Sequence, residues 1–164
     1  MALPGMRLIK KQTIGSAVSS VTVTGAFSTT YENYKIIVSN GVGSASNYIG
    51  LKLGSTATGY YNCGVYATYA STTPVGFSFA NASSWAQIGY MNTSAMNVNV
   101  ELFNPFLTKN TAFNSSLTQT TTGGLFSQTG GYLNDTTSYT DLTLTPAAGT
   151  FSGGVIYVYG YGAS

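Results

Sequence analysis

Histidine is absent from this chain, cysteine occurs once, and charged side chains make up only 6% of its 164 residues. Ordinary soluble domains carry about 25% charged residues. Without histidine, the chain can form neither a Ser-His-Asp triad nor a histidine-ligated metal site. The single cysteine, Cys63, excludes an intramolecular disulfide and a cysteine-rich zinc site. These absences argue against most enzyme classes, so we expect a protein that is not an enzyme and uses no cofactor or metal.

Net charge is also small, because six Lys and Arg stand against four Asp and Glu, which gives a formal net charge of +2. So small an excess does not build the basic surface that nucleic acid requires, and we expect no nucleic-acid partner. No apolar run approaches the roughly 18 residues of a membrane-spanning helix, so we expect no membrane span. Residues 1–11 lack the apolar segment of a secretory signal, which predicts synthesis in a cytoplasm.

What the chain has in abundance is small polar residues together with apolar ones. Glycine, serine, threonine and asparagine supply nearly half of the sequence, while 43% of the residues are hydrophobic and 13% are aromatic. Disorder requires low hydrophobicity with high net charge, and this composition has neither. The length suits one domain of roughly 100–200 residues. We therefore expect a single folded domain with a neutral polar surface.

Alternation at period two is the main structural pattern, and it is clearest in residues 96–102. Val98, Val100 and Leu102 fall on one face of an extended chain, with asparagines and Glu101 on the other. Similar runs recur about every 12–15 residues between turn signals, and no segment has the pattern of a helix. The sequence therefore predicts an all-β fold: an antiparallel β-sandwich, jelly-roll-like, with about 8–10 strands.

Three local features predict how particular strands are connected. Asn40-Gly41 is a strong hairpin signal, so we expect a β-hairpin across residues 40–46. Pro74 and clustered Ser, Thr and Asn predict a loop over residues 71–84, within which residues 76–79 are a candidate short strand. The last run, residues 154–160, is apolar on both faces and is typical of a central strand or one covered by a partner.

Half of the positive charges lie near the N-terminus, at Arg7, Lys10 and Lys11. One interpretation is an edge strand whose lysines block unwanted pairing. The other is an arm that docks on an acidic protein surface. We accordingly divide the chain into residues 1–16, an N-terminal arm or edge strand and possible attachment segment, and residues 17–164, a single β-sandwich domain.

The four carboxylates, Glu32, Glu101, Asp135 and Asp141, fall in predicted loops, at strand ends or on the polar face of a strand. Glycoside hydrolysis needs two carboxyl groups about 5–10 Å apart across a cleft, and nothing in the sequence brings two together. We read them as solvated side chains.

Aromatic residues give the candidate binding positions. Tyrosine occurs 13 times and tryptophan once. These rings can fill the core, line a subunit interface or stack on sugar rings, and the sequence leaves all three open. The candidates for an interface or for glycan stacking are Tyr60, Tyr61, Tyr66, Tyr69, Trp85, Tyr157, Tyr159 and Tyr161.

Three segments near the two ends of the chain carry a resemblance to known proteins. QTIGSAVSSVTV at residues 12–23, FSTTYENYKIIV at residues 27–38 and GTFSGGVIYVYGY at residues 149–161 resemble small β-sandwich virion surface proteins of tailed bacteriophages. The resemblance implies a protein of the particle surface that decorates the head or forms part of a fibre, and that is commonly trimeric. The family has no catalytic residues to carry over.

Together these features predict a non-enzymatic virion structural protein at the virion surface. It would act by self-association, as a homo-oligomer and most simply a trimer, and by docking on other virion proteins of the capsid or tail. The alternative is a fibre domain that recognises host-surface carbohydrate through Tyr, Trp85 and Asn side chains. A polysaccharide-degrading enzyme that uses Glu101 is a third and weaker reading.

Overall fold

The computed structural model describes residues 5–163, and across them the chain has fourteen β-strands and no helix. In chain order the strands are β1 (Arg7–Thr13), β2 (Val21–Val23), β3 (Tyr31–Ser39), β4 (Val42–Gly43), β5 (Asn47–Leu53), β6 (Tyr60–Thr68), β7 (Val75–Ala82), β8 (Trp85–Met91), β9 (Met96–Phe103), β10 (Ala112–Thr118), β11 (Leu125–Leu133), β12 (Leu142–Pro146), β13 (Phe151–Ser152) and β14 (Val155–Ala163).

Eight of these strands form a jelly roll. The first sheet has the order β1-β14-β3-β9, and the second has the order β2-β12-β5-β8. A short antiparallel pairing of β8 with β9 joins the two sheets at one edge. Strands that follow one another in the chain mostly alternate between the two sheets, and all the pairs are antiparallel. This is the double-sheet arrangement of a jelly roll. The predicted fold class is confirmed.

The core lies between these two sheets, and period-two alternation fills it. On β9, Val98, Val100 and Leu102 point inward, and the neighbouring strand β3 contributes Tyr34 and Ile36. Each fully buried aliphatic side chain contributes about 1.5–3 kcal/mol relative to an exposed one. The final strand, β14, lies between β1 and β3, so the prediction that it is central is confirmed.

The strands beyond the predicted 8–10 have two origins. β10-β11-β6-β7 continue the first sheet past β9, and we call these four strands the extension. The extension packs over β8, where the Trp85 ring lies 4.6 Å from that of Phe113 and 5.2 Å from that of Tyr60. The other two, β4 and β13, are two-residue strands that pair with each other, and Phe151 of β13 also forms an isolated bridge with Val18.

The hairpin predicted across residues 40–46 is wrong. Asn40 does adopt the expected positive φ of 60°, but β3 before it pairs with β14 and β9, whereas β5 after it pairs with β12 and β8. Both strands carry a full apolar face. They bury those faces against each other across the sandwich, so the turn carries the chain from one sheet to the other.

The loop predicted over residues 71–84 is also wrong over most of its length, whereas the short strand predicted within it at residues 76–79 is present and is longer than expected. Residues Val75–Ala82 form β7, an edge strand that pairs with β6 along residues 60–66. Pro74 immediately precedes this strand, where its missing N–H costs no ladder bond. The small polar residues that predicted a loop are accommodated because one side of the strand is unpaired.

Candidate functional site

Two of the candidate aromatic residues belong to the core, which corrects their assignment to an interface or a glycan site. Trp85 and Tyr60 are both fully buried. The Trp85 Nε1–H donates to the Tyr132 carbonyl oxygen at 3.2 Å, and the Tyr60 hydroxyl accepts from the Leu53 N–H at 2.8 Å. Burial raises the pKa of Tyr60 well above its usual value. With both faces packed and the polar ends bonded, neither ring is available to a ligand.

Tyr66 also points inward. It packs beside a small second cluster formed by Tyr90, Leu117 and Leu125, under the extension. Its ring centroid lies 6.3 Å from that of Phe77. Tyr66 therefore helps to hold the extension against the jelly roll and offers little to a partner.

The tyrosines of β14 lie on the outer face of the first sheet and are half-buried. The rings of Tyr157 and Tyr159 are stacked with centroids 6.4 Å apart. Lys11 Nζ lies 5.8 Å from the centre of the Tyr157 ring, at the limit of a cation–π contact. Burial and the nearby charge of Glu101 raise the pKa of Tyr161. These three candidates form a neutral aromatic row on one strand.

The N-terminal cations do not form one patch. All three lie on β1, an edge strand of the first sheet that pairs with β14 and with no other strand among residues 5–163. A register shift between Leu8 and Lys10 interrupts the alternation, and Lys11 lies opposite Tyr157 while Lys10 lies opposite Val158. Arg7 and Lys11 are exposed. The edge-strand interpretation describes where this segment sits, and residues 1–4 of the predicted arm lie outside the described residues.

Glu101 is the carboxylate closest to a cavity. It faces Lys35 with 3.5 Å between the Oε1 and Nζ atoms, beside an open polar cavity of about 170 Å³. The other lining residues are Asn99, Asn114, Ser115, Ser116 and Gln128. Catalysis by two carboxylates requires a second acid in the cleft, and this lining supplies a lysine instead. Within residues 5–163 no three Cys, Asp or Glu side chains cluster as metal ligands.

The outer face of the extension is the surface that sequence reasoning missed. We define the extension face by Tyr61, Val65, Phe126 and Tyr132, whose side chains share the outer side of neighbouring strands. Val65, Phe126 and Tyr132 are 46%, 44% and 41% exposed, and the Tyr61 and Tyr132 rings stack at 5.3 Å. Tyr69 borders this face, is 56% exposed, and donates its hydroxyl to the Gln119 carbonyl oxygen. Of the four neighbouring candidates Tyr60, Tyr61, Tyr66 and Tyr69, Tyr61 and Tyr69 are thus the two that lie at the surface.

A sequence signal for this face exists, and it concerns the distribution of charge. Residues 53–100 and 110–134 contain no charged side chain, and all four strands of the extension fall within them. A long uncharged interval that includes an edge strand is unusual, because edge strands normally carry charges that prevent pairing. The overall charge count of the chain conceals this interval.

Comparisons with protein-family models, with curated proteins and with solved structures found no match to this chain. In the described part of the chain, no helix is long and apolar enough to cross a membrane.

Proposed function

We propose that this chain is a non-enzymatic structural protein of the surface of a tailed-phage particle, in the head or an appendage, and that it self-associates through the extension face. The observation that carries the proposal is that several polar side chains of the extension are buried while large apolar side chains of the same strands are exposed. Ser115, Ser127 and Thr129 are buried, while Val65 and Phe126 are exposed.

The extension face is chemically suited to a second copy of the chain. Desolvating charged groups is the main cost of burying a surface, and this face has none to desolvate. Tyrosine and phenylalanine are enriched in the cores of interfaces, and charged residues are depleted there. A neutral partner with the same composition therefore fits the face better than an acidic or basic protein.

The size of the face matches a specific interface. Four strands spaced about 4.8 Å apart and about nine residues long at 3.4 Å per residue give a face of roughly 20 by 30 Å. Side-chain relief raises the accessible area above this projected one, toward the about 800 Å² per partner of a standard interface. The extension face is thus large enough for one specific contact. We take three copies as the expected stoichiometry from the phage resemblance, and a closed trimer then requires that the extension face of each chain meets a second, different surface of its neighbour.

The fold and the end segments supply the particle context. Jelly rolls occur in viral capsid proteins and in lectins, and one fold hosts many functions. The resemblance of residues 12–38 and 149–161 to phage virion surface proteins favours the capsid or an appendage. Arg7 and Lys11, exposed on the β1 edge away from the extension, are the proposed docking contacts with other virion proteins.

The oligomeric state of the full chain tests this proposal. Native mass spectrometry and light scattering at micromolar concentration should give a trimer, and the double variant Val65→Asp/Phe126→Asp should give a folded monomer. Thr24→Asp, on an exposed turn after β2, is the matched control and should leave the trimer intact. A monomeric wild-type chain, or a double variant that assembles like the wild type, would refute the assigned interface.

The particle context needs a second measurement. Antibody labelling and imaging of particles from cells that produce the chain should place it on the head or tail surface. Its absence from purified particles would overturn the virion assignment, even if the chain is trimeric in solution.

A further inference from the structure

A groove separate from the extension face lies on the outer side of the second sheet. It is enclosed between β5, β12 and the edge strand β7, and has a volume of about 250 Å³. Tyr48 and Phe79 provide aromatic rings in its lining, and Gly50 and Pro146 leave space beside them. The extension creates the groove, because β7 belongs to the part of the first sheet that continues past β9.

A β-bulge in β8 gives the groove its polar lining. Ile49 pairs with Gly89 and Leu51 pairs with Trp85, so three residues of β8 face the single residue Gly50. At the centre of this bulge Gln87 has a φ of 57°, a conformation that costs a non-glycine residue about 1–3 kcal/mol. Bulges of this kind redirect a side chain and are frequent at binding sites. The redirected residue, Gln87, lines the groove.

Buried polar side chains of the extension hold the bulge in place. Asn62 accepts from the Ala86 N–H at 3.3 Å and donates to the Ala86 carbonyl oxygen at 3.1 Å. Thr129 donates its hydroxyl to the Gln87 carbonyl oxygen at 3.5 Å. Asn62 and Thr129 are each at least 96% buried. These hydrogen bonds fix the strained backbone of the bulge, and a strained conformation persists where the surrounding structure fixes it in this way.

One aromatic ring of the groove is fixed as well. Tyr48 packs edge-on against Tyr90 with ring centroids 5.9 Å apart, and its hydroxyl accepts from Gln119 Nε2 at 3.2 Å. Burial raises the pKa of Tyr48, so its hydroxyl stays neutral. The ring is therefore held in position before any ligand arrives, which lowers the entropic cost of binding.

The chemistry of the lining identifies the class of ligand. No Asp, Glu, Lys or Arg lines the groove. The side chains of Ser84, Gln87 and Thr145 have no protein hydrogen-bond partner in the described structure, so their donors and acceptors are free. Aromatic rings beside a few unengaged neutral polar groups suit a ring with apolar C–H faces and a hydroxyl rim. We propose that this groove binds a neutral pyranose sugar.

Gly50 provides a way to close the groove without removing a contact. A Cβ built on this residue lies 3.2 Å from Ser84 Oγ and 3.2 Å from the Trp85 carbonyl oxygen. Gly50→Ala therefore narrows the groove where a sugar would enter, at the cost of a small local adjustment.

An NMR titration of the full chain with methyl glycosides of glucose, galactose, mannose and N-acetylglucosamine tests the site. We expect at least one neutral sugar to shift the backbone amide signals of Gly50, Gln87 and Ala147. Gln87→Gly should weaken that binding about fivefold to tenfold, the loss of one hydrogen bond. This variant relieves the positive φ, so it should fold at least as well as the wild type. Gln128→Ala, at an exposed glutamine that pairs with Val65 on the outer side of the extension and does not line the groove, should bind like the wild type.

Three results would overturn the proposal. The first is an absence of groove shifts with every neutral sugar up to its solubility limit. The second is that a uronic acid binds more tightly than the matched neutral sugar. The third is that shifts map to the tyrosine row of β14 instead. The Val65→Asp/Phe126→Asp variant should bind sugar normally, so the groove and the assembly face succeed or fail independently.

Discussion

Asn62 connects the extension to the bulge of β8, and replacing it tests whether that connection holds the fold together. We consider Asn62→Leu, which keeps the size and branching of the side chain and removes both hydrogen bonds to Ala86. Each buried backbone group left without a partner costs about 1–3 kcal/mol. The leucine side chain recovers part of that cost by burying apolar surface. We expect a net loss of about 2–4 kcal/mol in the free energy of unfolding.

Urea-induced unfolding measures this loss directly, because the chain has a single tryptophan. Trp85 is fully buried and begins the same strand as the bulge, so its fluorescence reports on this region. A loss of this size is a large fraction of the about 5–15 kcal/mol of a typical domain and should move the midpoint clearly. The slope of the transition should not change if the variant unfolds in one step.

Asn114→Leu is the matched control, because Asn114 is exposed on the outer face of the same extension. It should change stability by no more than about 0.5 kcal/mol. If Asn62→Leu costs less than about 1 kcal/mol, the hydrogen bonds to Ala86 do not fix the bulge. Sugar binding provides the second measurement: Asn62→Leu should weaken it even under conditions where the variant is fully folded.

Two ionisable groups give predictions about pH. Tyr60→Phe leaves the Leu53 N–H unpaired and should cost about 1–3 kcal/mol at pH 7. Burial raises the pKa of Tyr60, so its contribution is full below about pH 10 and is lost above it; the gap between wild type and variant should narrow there. Hydrogen bonds from Thr137 lower the pKa of the Asp135 carboxyl, which also accepts from the Tyr139 hydroxyl. Asp135→Asn should therefore destabilise the chain at neutral pH, and the difference should disappear as pH falls below about 4. A pH-independent gap in either urea series would contradict the assignment.

The jelly roll could be predicted because alternation and burial agree in β2, β3, β5, β9 and β12. The apolar residues of β9 and β12 that alternate in the sequence are the ones that fill the core. The pairing of β3 could not be read from the turn that follows it. A local turn signal at Asn40 specifies a change of direction, whereas the partner of a strand depends on which apolar faces meet across the sandwich.

Some of the candidate aromatic residues lie in the core and others at the surface, for the same reason. Trp85, the single tryptophan, was a natural choice for sugar stacking, but its size makes it the best filler for the junction between the jelly roll and the extension. The groove could not be predicted at all, because it depends on a bulge. No residue type near Gln87 in the sequence indicates a positive φ. Hydrogen bonds from Asn62 and Thr129, on strands distant in the sequence, impose this conformation.

The extension shows why alternation of polar and apolar residues does not by itself predict which side of a strand is buried near a binding site. Its inner face carries Asn62 and Thr129 because the bulge of β8 presents backbone groups that need partners. With those inner positions polar, part of the apolar surface of the same strands lies outside, at Val65 and Phe126. A face that carries no charge, exposes large apolar side chains such as Val65 and Phe126, and ends in an edge strand is an aggregation hazard unless a defined partner covers it. The hydrogen bonds that shape the groove and the proposed self-association of the chain thus depend on the two faces of the same strands, and the two proposed experiments examine one face each.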